Sequence, residues 1–201
     1  MALSKEQINS VEEVLKASLR SKFQNYKPEP ASMPFHTRLL GKDRLALYSF
    51  IHSLNTNFGT SIFEPVGLAL AQKHFKMAVS QATAGDQIST GAQAEIQKII
   101  DGLITATGTP NKKEEIERIR KVCQTGDMIK VKPTKVDLMF ESKDGAYFLF
   151  DIKTAKPNAG GFKEFKRTLL EWVAVVLANK PDAVINTFIA IPYNPYEPEP
   201  Y

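Results

Sequence analysis

The stretch Lys135–Lys156, KVDLMFESKDGAYFLFDIKTAK, constrains this chain more than any other. Two apolar, alternating runs, Lys135–Phe140 and Ala146–Lys153, flank a polar reversal at Asp144-Gly145. Period-two alternation on both sides of an Asp-Gly turn predicts an antiparallel hairpin. A turn centred on Asp144 sets Asp137 opposite Asp151. Side chains alternate along a strand, so Asp151 and Lys153 share a face, and Asp137 joins them in this register. Two carboxylates and an ammonium group are therefore expected at one spot on a mostly apolar hairpin. A structural element has little use for that grouping, whereas metal-assisted phosphodiester chemistry does.

The flanking residues read mainly as helices. Ser4 and Gln7 stand in capping-box spacing, and Ile8, Val11, Val14, Leu15, Leu19 and Phe23 then line one helical face, which is expected to pack on the domain. Lys27–Pro34 (KPEPASMP) holds three prolines and reads as an extended connector. A helix is expected over Asp43–Leu54, a break at Asn55–Ser61, and an apolar helical run over Pro65–Val79. Ala84–Gly91 is a polar break before a helix at Ala92–Thr105, and Glu114–Cys123 is a short charged helix with ion pairs at i,i+4. Met128–Lys132 reads as a short strand. After the hairpin come a loop (Lys156–Gly161), a helix (Phe162–Asn179) and a strand (Ala183–Ile191) apolar enough to be central in a sheet. This string predicts an α/β fold, a mixed β-sheet flanked by helices with a helical N-terminal lobe. A single domain over 1–201 is expected, mainly helical over 1–125, with the hairpin, helix and last strand in 126–192.

A net charge of +4 permits a polyanionic partner without requiring one. Cys123 is the only cysteine, which excludes an internal disulfide and a cysteine-based zinc site. No apolar run approaches the ~20 residues of a membrane span, and MALSKEQINS has no apolar signal core. A cytoplasmic location is expected. His36, His52 and His74 lack metal-ligand spacing.

The chemistry of the hairpin follows from its donors. Mg²⁺ prefers carboxylate, carbonyl and water oxygens. Asp137, Asp151 and the backbone carbonyl of Ile152 are the candidate ligands, and Lys153 would hold the attacking water and balance charge on the phosphorane. D-x-K alone is common; Asp137 as a strand-entry cap and an Asp151–Lys153 edge-strand ion pair are the plain alternative. Downstream, Lys156, Asn158, Gly160 and Gly161 form a glycine-rich turn into a helix whose first turns carry Lys163, Lys166 and Arg167. Bare backbone N–H groups at such a turn suit a phosphate. Cations there oppose the helix dipole, which hints at a polyanion partner. The plain alternative is a solvent-facing basic turn. Lys130, Lys132 and Lys135 would extend the same surface.

These residues also carry a family resemblance. Val136-Asp137 followed by Asp151-Ile152-Lys153 resembles the PD-(D/E)xK nuclease signature, with Val136 in place of proline and Asp151 in place of the commoner glutamate. FGTSIFEPV (Phe58–Val66), AQAEIQKIIDGL (Ala92–Leu103) and DIKTAKPNAGGFKEFKRTLLEW (Asp151–Trp172) resemble the TdeIII-type family of type II restriction endonucleases, a likeness running from about Arg38 to YNPYEP. It implies a restriction-endonuclease-like core that cuts double-stranded DNA with Mg²⁺ at short GC-rich palindromes of the GGNCC kind. It also implies a cognate DNA methyltransferase as functional partner, and a palindromic site calls for a two-fold homodimer. An acidic residue from a helix preceding the sheet is expected to complete the metal site, either Glu95 in AQAEIQ or Glu64 in FEPV. The resemblance implies that family members run on beyond the point where this chain stops, so YNPYEPEPY reads either as a native tail or as the cut edge of a longer polypeptide, and an incomplete chain is expected to be inactive. A repair or recombination nuclease of the same fold and a non-cleaving DNA-binding protein are the competing readings.

Overall fold

A computed structural model describes residues 3–26, 34–132, 135–154, 159–192, 194 and 196–199. The connector expected at Lys27–Pro34 lies almost wholly outside them. The chain divides into two compact units, Met1–Leu70 and Ala71–Tyr201.

The first unit is helical: α1 (Lys5–Asn25), α2 (Pro34–Leu40), α3 (Lys42–Phe58) and the start of α4 (Glu64–Ala71). Ser4 caps α1 reciprocally, its hydroxyl accepting from the Gln7 N–H while the Gln7 side chain accepts from the Ser4 N–H. The apolar stripe of α1 is less covered than its spacing suggests, for no α1 residue is buried and Phe23 remains 60% exposed. Phe23 and Tyr26 do meet Phe50 of α3, with ring centroids 5.5 and 4.9 Å away. The break expected at Asn55–Ser61 is absent. α3 runs to Phe58 and passes through a π-helical turn, Gly59–Phe63, into α4. The Glu64 N–H donates to the Gly59 carbonyl, so one wide turn absorbs the misfit without ending the helix.

The second unit contains β1 (Met77–Thr83), β2 (Gln87–Ser89), α5 (Thr90–Ile104), α6 (Lys112–Val122), β3 (Met128–Lys130), β4 (Lys135–Glu141), β5 (Tyr147–Ile152), α7 (Ala159–Asn179) and β6 (Ile185–Ala190). A four-stranded sheet has the order β1-β4-β5-β6, and β2 pairs with β3 in a two-stranded sheet. β1, β4 and β5 are antiparallel neighbours, and β6 lies parallel to β5. The architecture is thus mixed α/β with flanking helices.

Two expectations are corrected here. The apolar run to Val79 does not stay helical, because Met77–Thr83 pairs along its length with Glu141–Lys135 of β4. A short apolar run suits either state, and the waiting strand edge decides it. β6 is not central: α7 returns the chain beside β5 at the sheet edge, where Phe188 stays 39% exposed. The central strands are β4 and β5, which carry the hairpin.

One face of the sheet packs on α5, α6 and α7 through Ile96, Ile100, Ile119, Leu149, Trp172, Val173 and Leu177. The opposite face is aromatic: Phe140 lies 5.0 Å from Phe75 and 5.3 Å from Phe150, which stacks on Phe188. The hairpin closes where the Gly145 N–H donates to the Ser142 carbonyl at 3.0 Å, with Gly145 at φ +86. That left-handed position is where glycine costs least. No described helix is long and apolar enough to cross a membrane.

Candidate active site

The turn sets the register, and the register sets the site. β4 and β5 pair from Glu141–Tyr147 to Leu138–Phe150, and Asp137 and Asp151 stand one step beyond that last pair. Both lie on the helix-covered face, in phase with Met139 and Leu149. The ladder does not simply stop there. The Asp137 carboxylate reaches across, its Oδ2 accepting the Ile152 N–H at 2.7 Å. On the other edge of β5, the Lys153 N–H donates to the Ala190 carbonyl of β6 at 2.9 Å. The D-x-K segment is thus held at both edges through its own N–H groups, by a side-chain carboxylate on one side and a backbone carbonyl on the other.

Asp151 is 9% exposed, and its Oδ1 accepts from Lys153 Nζ at 2.6 Å. Burial raises the Asp151 carboxyl above its ordinary range; Lys153 pulls it back, and Asp137, within hydrogen-bonding reach, pushes it up again. Lys153 Nζ also stands 4.7 Å from the centre of the Phe165 ring on α7, which limits where the ammonium can swing. Asp137, Asp151 and Lys153 are therefore together, as their spacing predicts. Their neighbours Gln81, whose Nε2 donates to Asp137 Oδ1 at 3.4 Å, and Phe165 carry no signal in the sequence, because only tertiary packing brings β1 and α7 to the hairpin.

The remaining expected residues fall elsewhere. Glu95 on α5 bonds Arg118 of α6 at 2.7 Å, with its side chain 15% exposed. Among the described residues, no group of three or more His, Cys, Asp or Glu side chains is gathered closely enough to hold a metal ion, so Glu95 does not join the two aspartates. Glu64 is buried at the start of α4. Lys156 and Asn158 lie outside the described residues. α7 begins at Ala159, three residues before the expected start, so Gly160 and Gly161 belong to its first turn. Lys163 and Lys166 line an apolar cavity of about 390 Å³ with Phe162 and Leu169. Lys166 forms an ion pair with Glu115, whose side chain is 4% exposed. Arg167 donates to Gln97 at 2.8 Å and, with Lys132 and Lys135, borders a cavity of about 610 Å³ floored by Ile88, Ile96, Val131 and Val175.

The donors at the hairpin end suit a hard divalent cation. Asp137 and Asp151 offer only oxygens, and Mg²⁺ is commonly held by one or two carboxylates with waters and substrate phosphate completing its shell. Paired carboxylates also repel each other less with a cation between them.

Known proteins resemble the chain over most of its length. It is 28% identical over 215 residues to the type II restriction enzyme MjaII of Methanocaldococcus jannaschii, an alignment covering 98% of this chain and 56% of that enzyme. It is 30% identical over 167 residues to the type II restriction enzyme HgiEI of Herpetosiphon aurantiacus, covering 81% of this chain and 59% of the relative. HgiCII of the same organism, also a type II restriction enzyme, is 27% identical over 167 residues. The chain thus spans a little over half the length of these curated relatives. No solved structure matches it. Residues 3–201 match the family described as type II restriction endonuclease, HinfI, and the chain belongs to that family.

Proposed function

We propose that this chain carries the cutting machinery of a Mg²⁺-dependent type II restriction endonuclease with a PD-(D/E)xK site, acting on double-stranded DNA. The observation that carries the proposal is the meeting of Asp137, Asp151 and Lys153 at the end of the β4–β5 ladder. Relatives named as type II restriction enzymes support it. So does the TdeIII-like sequence of Asp151–Trp172, and with it a GGNCC-like palindrome as target.

Asp137 and Asp151 would hold the Mg²⁺, and the Ile152 carbonyl would assist, since a strand residue presents its C=O on the same edge as its N–H. When bound, the ion supplies an activated water and neutralises phosphate charge. Lys153 already reaches Asp151, so its ammonium is poised at the edge of the carboxylate pair to orient the attacking water and face the phosphate oxygens. Lys132, Lys135 and Arg167 around their shared cavity, with Lys163 nearby on α7, would contact the DNA backbone, positioning the duplex without reading sequence. A palindromic target calls for a two-fold homodimer, and host protection for a cognate methyltransferase.

The test is plasmid digestion with Mg²⁺ by the native chain, Lys153→Ala and Asp151→Asn, with DNA binding measured in Ca²⁺. Discrete fragments lost in both variants, with binding retained, support the proposal. Cleavage at the native rate by either variant refutes the site. Binding without cleavage by the native chain favours the non-cleaving reading.

A further inference from the structure

Gln81 sits in the middle of β1, between the pairs Ser80–Leu138 and Ala82–Val136, and so stands opposite Asp137. Its φ is +50, within a strand whose register is unbroken on both sides. Extended residues have strongly negative φ, and a side-chain-bearing residue with positive φ is uncommon. A local distortion of this kind persists only where flanking structure over-determines it, here the β1–β4 pairs on either side. Its consequence is specific. The Gln81 Nε2 donates to Asp137 Oδ1 at 3.4 Å, while Asp137 Oδ2 takes the Ile152 N–H at 2.7 Å.

We infer that Gln81 is a positioning residue for the hairpin carboxylates, its kinked backbone aiming an amide donor that fixes the rotation of the Asp137 carboxyl group. The inference rests on the nuclease reading of the hairpin. Each Asp137 oxygen accepts one described donor, which leaves each a further lone pair for a divalent cation. With only the Ile152 N–H, the carboxylate could pivot about Oδ2 and change the direction in which Oδ1 points. The amide on the neighbouring strand, 3.4 Å away, restrains that pivot. Desolvation of Asp137 does not require it, since the backbone N–H already satisfies that group and Gln81 itself is exposed. Outer-sphere groups that orient metal ligands typically change metal affinity 10–100-fold when removed.

The test compares Mn²⁺ binding, by calorimetry and by the loss of free-ion electron spin resonance, in the full native chain, Gln81→Ala, Gln81→Gly and Asp137→Asn. Trp172 emission checks that each variant is folded. The expected result is Mn²⁺ affinity lowered about tenfold in both Gln81 variants, and lost in Asp137→Asn. Gln81→Gly is expected to melt above Gln81→Ala, because glycine relaxes the positive φ. Affinity would then follow the amide while stability follows the backbone, a separation that a merely structural role does not produce. Native affinity in Gln81→Gly overturns the positioning role. Native affinity in Asp137→Asn overturns the site reading itself, and this inference with it.

Discussion

Replacing Lys166 with methionine is expected to destabilise the second unit by about 2–3 kcal/mol and to leave the salt dependence of DNA binding unchanged. Lys166 pairs with Glu115, whose side chain is 4% exposed against 24% for the lysine. Methionine keeps most of the apolar stem, so the change removes charge more than packing. Stranding one member of a buried pair costs about 3–5 kcal/mol. Solvent at the Lys166 end screens the pair and brings the figure down. The Asn111 N–H that Glu115 Oε1 accepts at 3.4 Å remains, and Lys112 still attracts the carboxylate, but neither replaces the ammonium in direct contact. For a chain of this size the loss corresponds to roughly 5–10 °C in Tm. Trp172 is the natural reporter, being the only tryptophan and buried on the same helix. Pairing Lys166→Met with Glu115→Gln should recover most of the loss, because the stranded charge is then gone. An unchanged Tm, together with a salt slope reduced by about 0.9, would refute this account and make Lys166 a phosphate contact.

Other perturbations follow from the same geometry. Burial raises the Glu171 carboxyl, Arg167 opposes this and Glu164 adds to it. Its favourable contribution is therefore complete below the ordinary glutamate value of 4.5 and is lost as pH rises through the higher folded value. Glu171→Gln should be more stable than the native chain at neutral pH, with the gap in urea midpoint closing towards acid; a constant gap contradicts the shift. Gly126→Ala should cost more stability than Gly145→Ala. Both glycines have positive φ, which costs alanine about 1–2 kcal/mol, but a methyl group at Gly126 also runs into the Thr90 hydroxyl while Gly145 faces open space. Equal melting points for the two variants would contradict this. Cys123 is 3% exposed, with its thiol pushed up by burial, so it should react with a disulfide reagent only in denaturant. Rapid labelling of the folded protein would contradict its placement.

The hairpin was legible because everything that specifies it is local. Alternation chooses strand, Asp144-Gly145 chooses the turn, and the turn fixes which residues face each other, so Asp137, Asp151 and Lys153 meet as their spacing requires. α7 was legible for a similar reason, its apolar period of 3.6 surviving to Asn179. Met77–Thr83 was not, since MAVSQAT becomes a strand only when β4 offers an edge. The edge position of β6 was equally hidden, because an apolar strand does not state which side of its neighbour it will occupy.

The sequence by itself therefore determined the grouping of Asp137, Asp151 and Lys153, through period and turn chemistry over the seventeen positions from Asp137 to Lys153. Only the tertiary structure decided what surrounds it. Gln81 arrives from a strand that pairs across 56 residues, and Lys166 is drawn to Glu115 across 51. Such partners are chosen by where burial leaves a charge or a carboxylate oxygen in need of a donor, and that is settled when the helices close over the sheet.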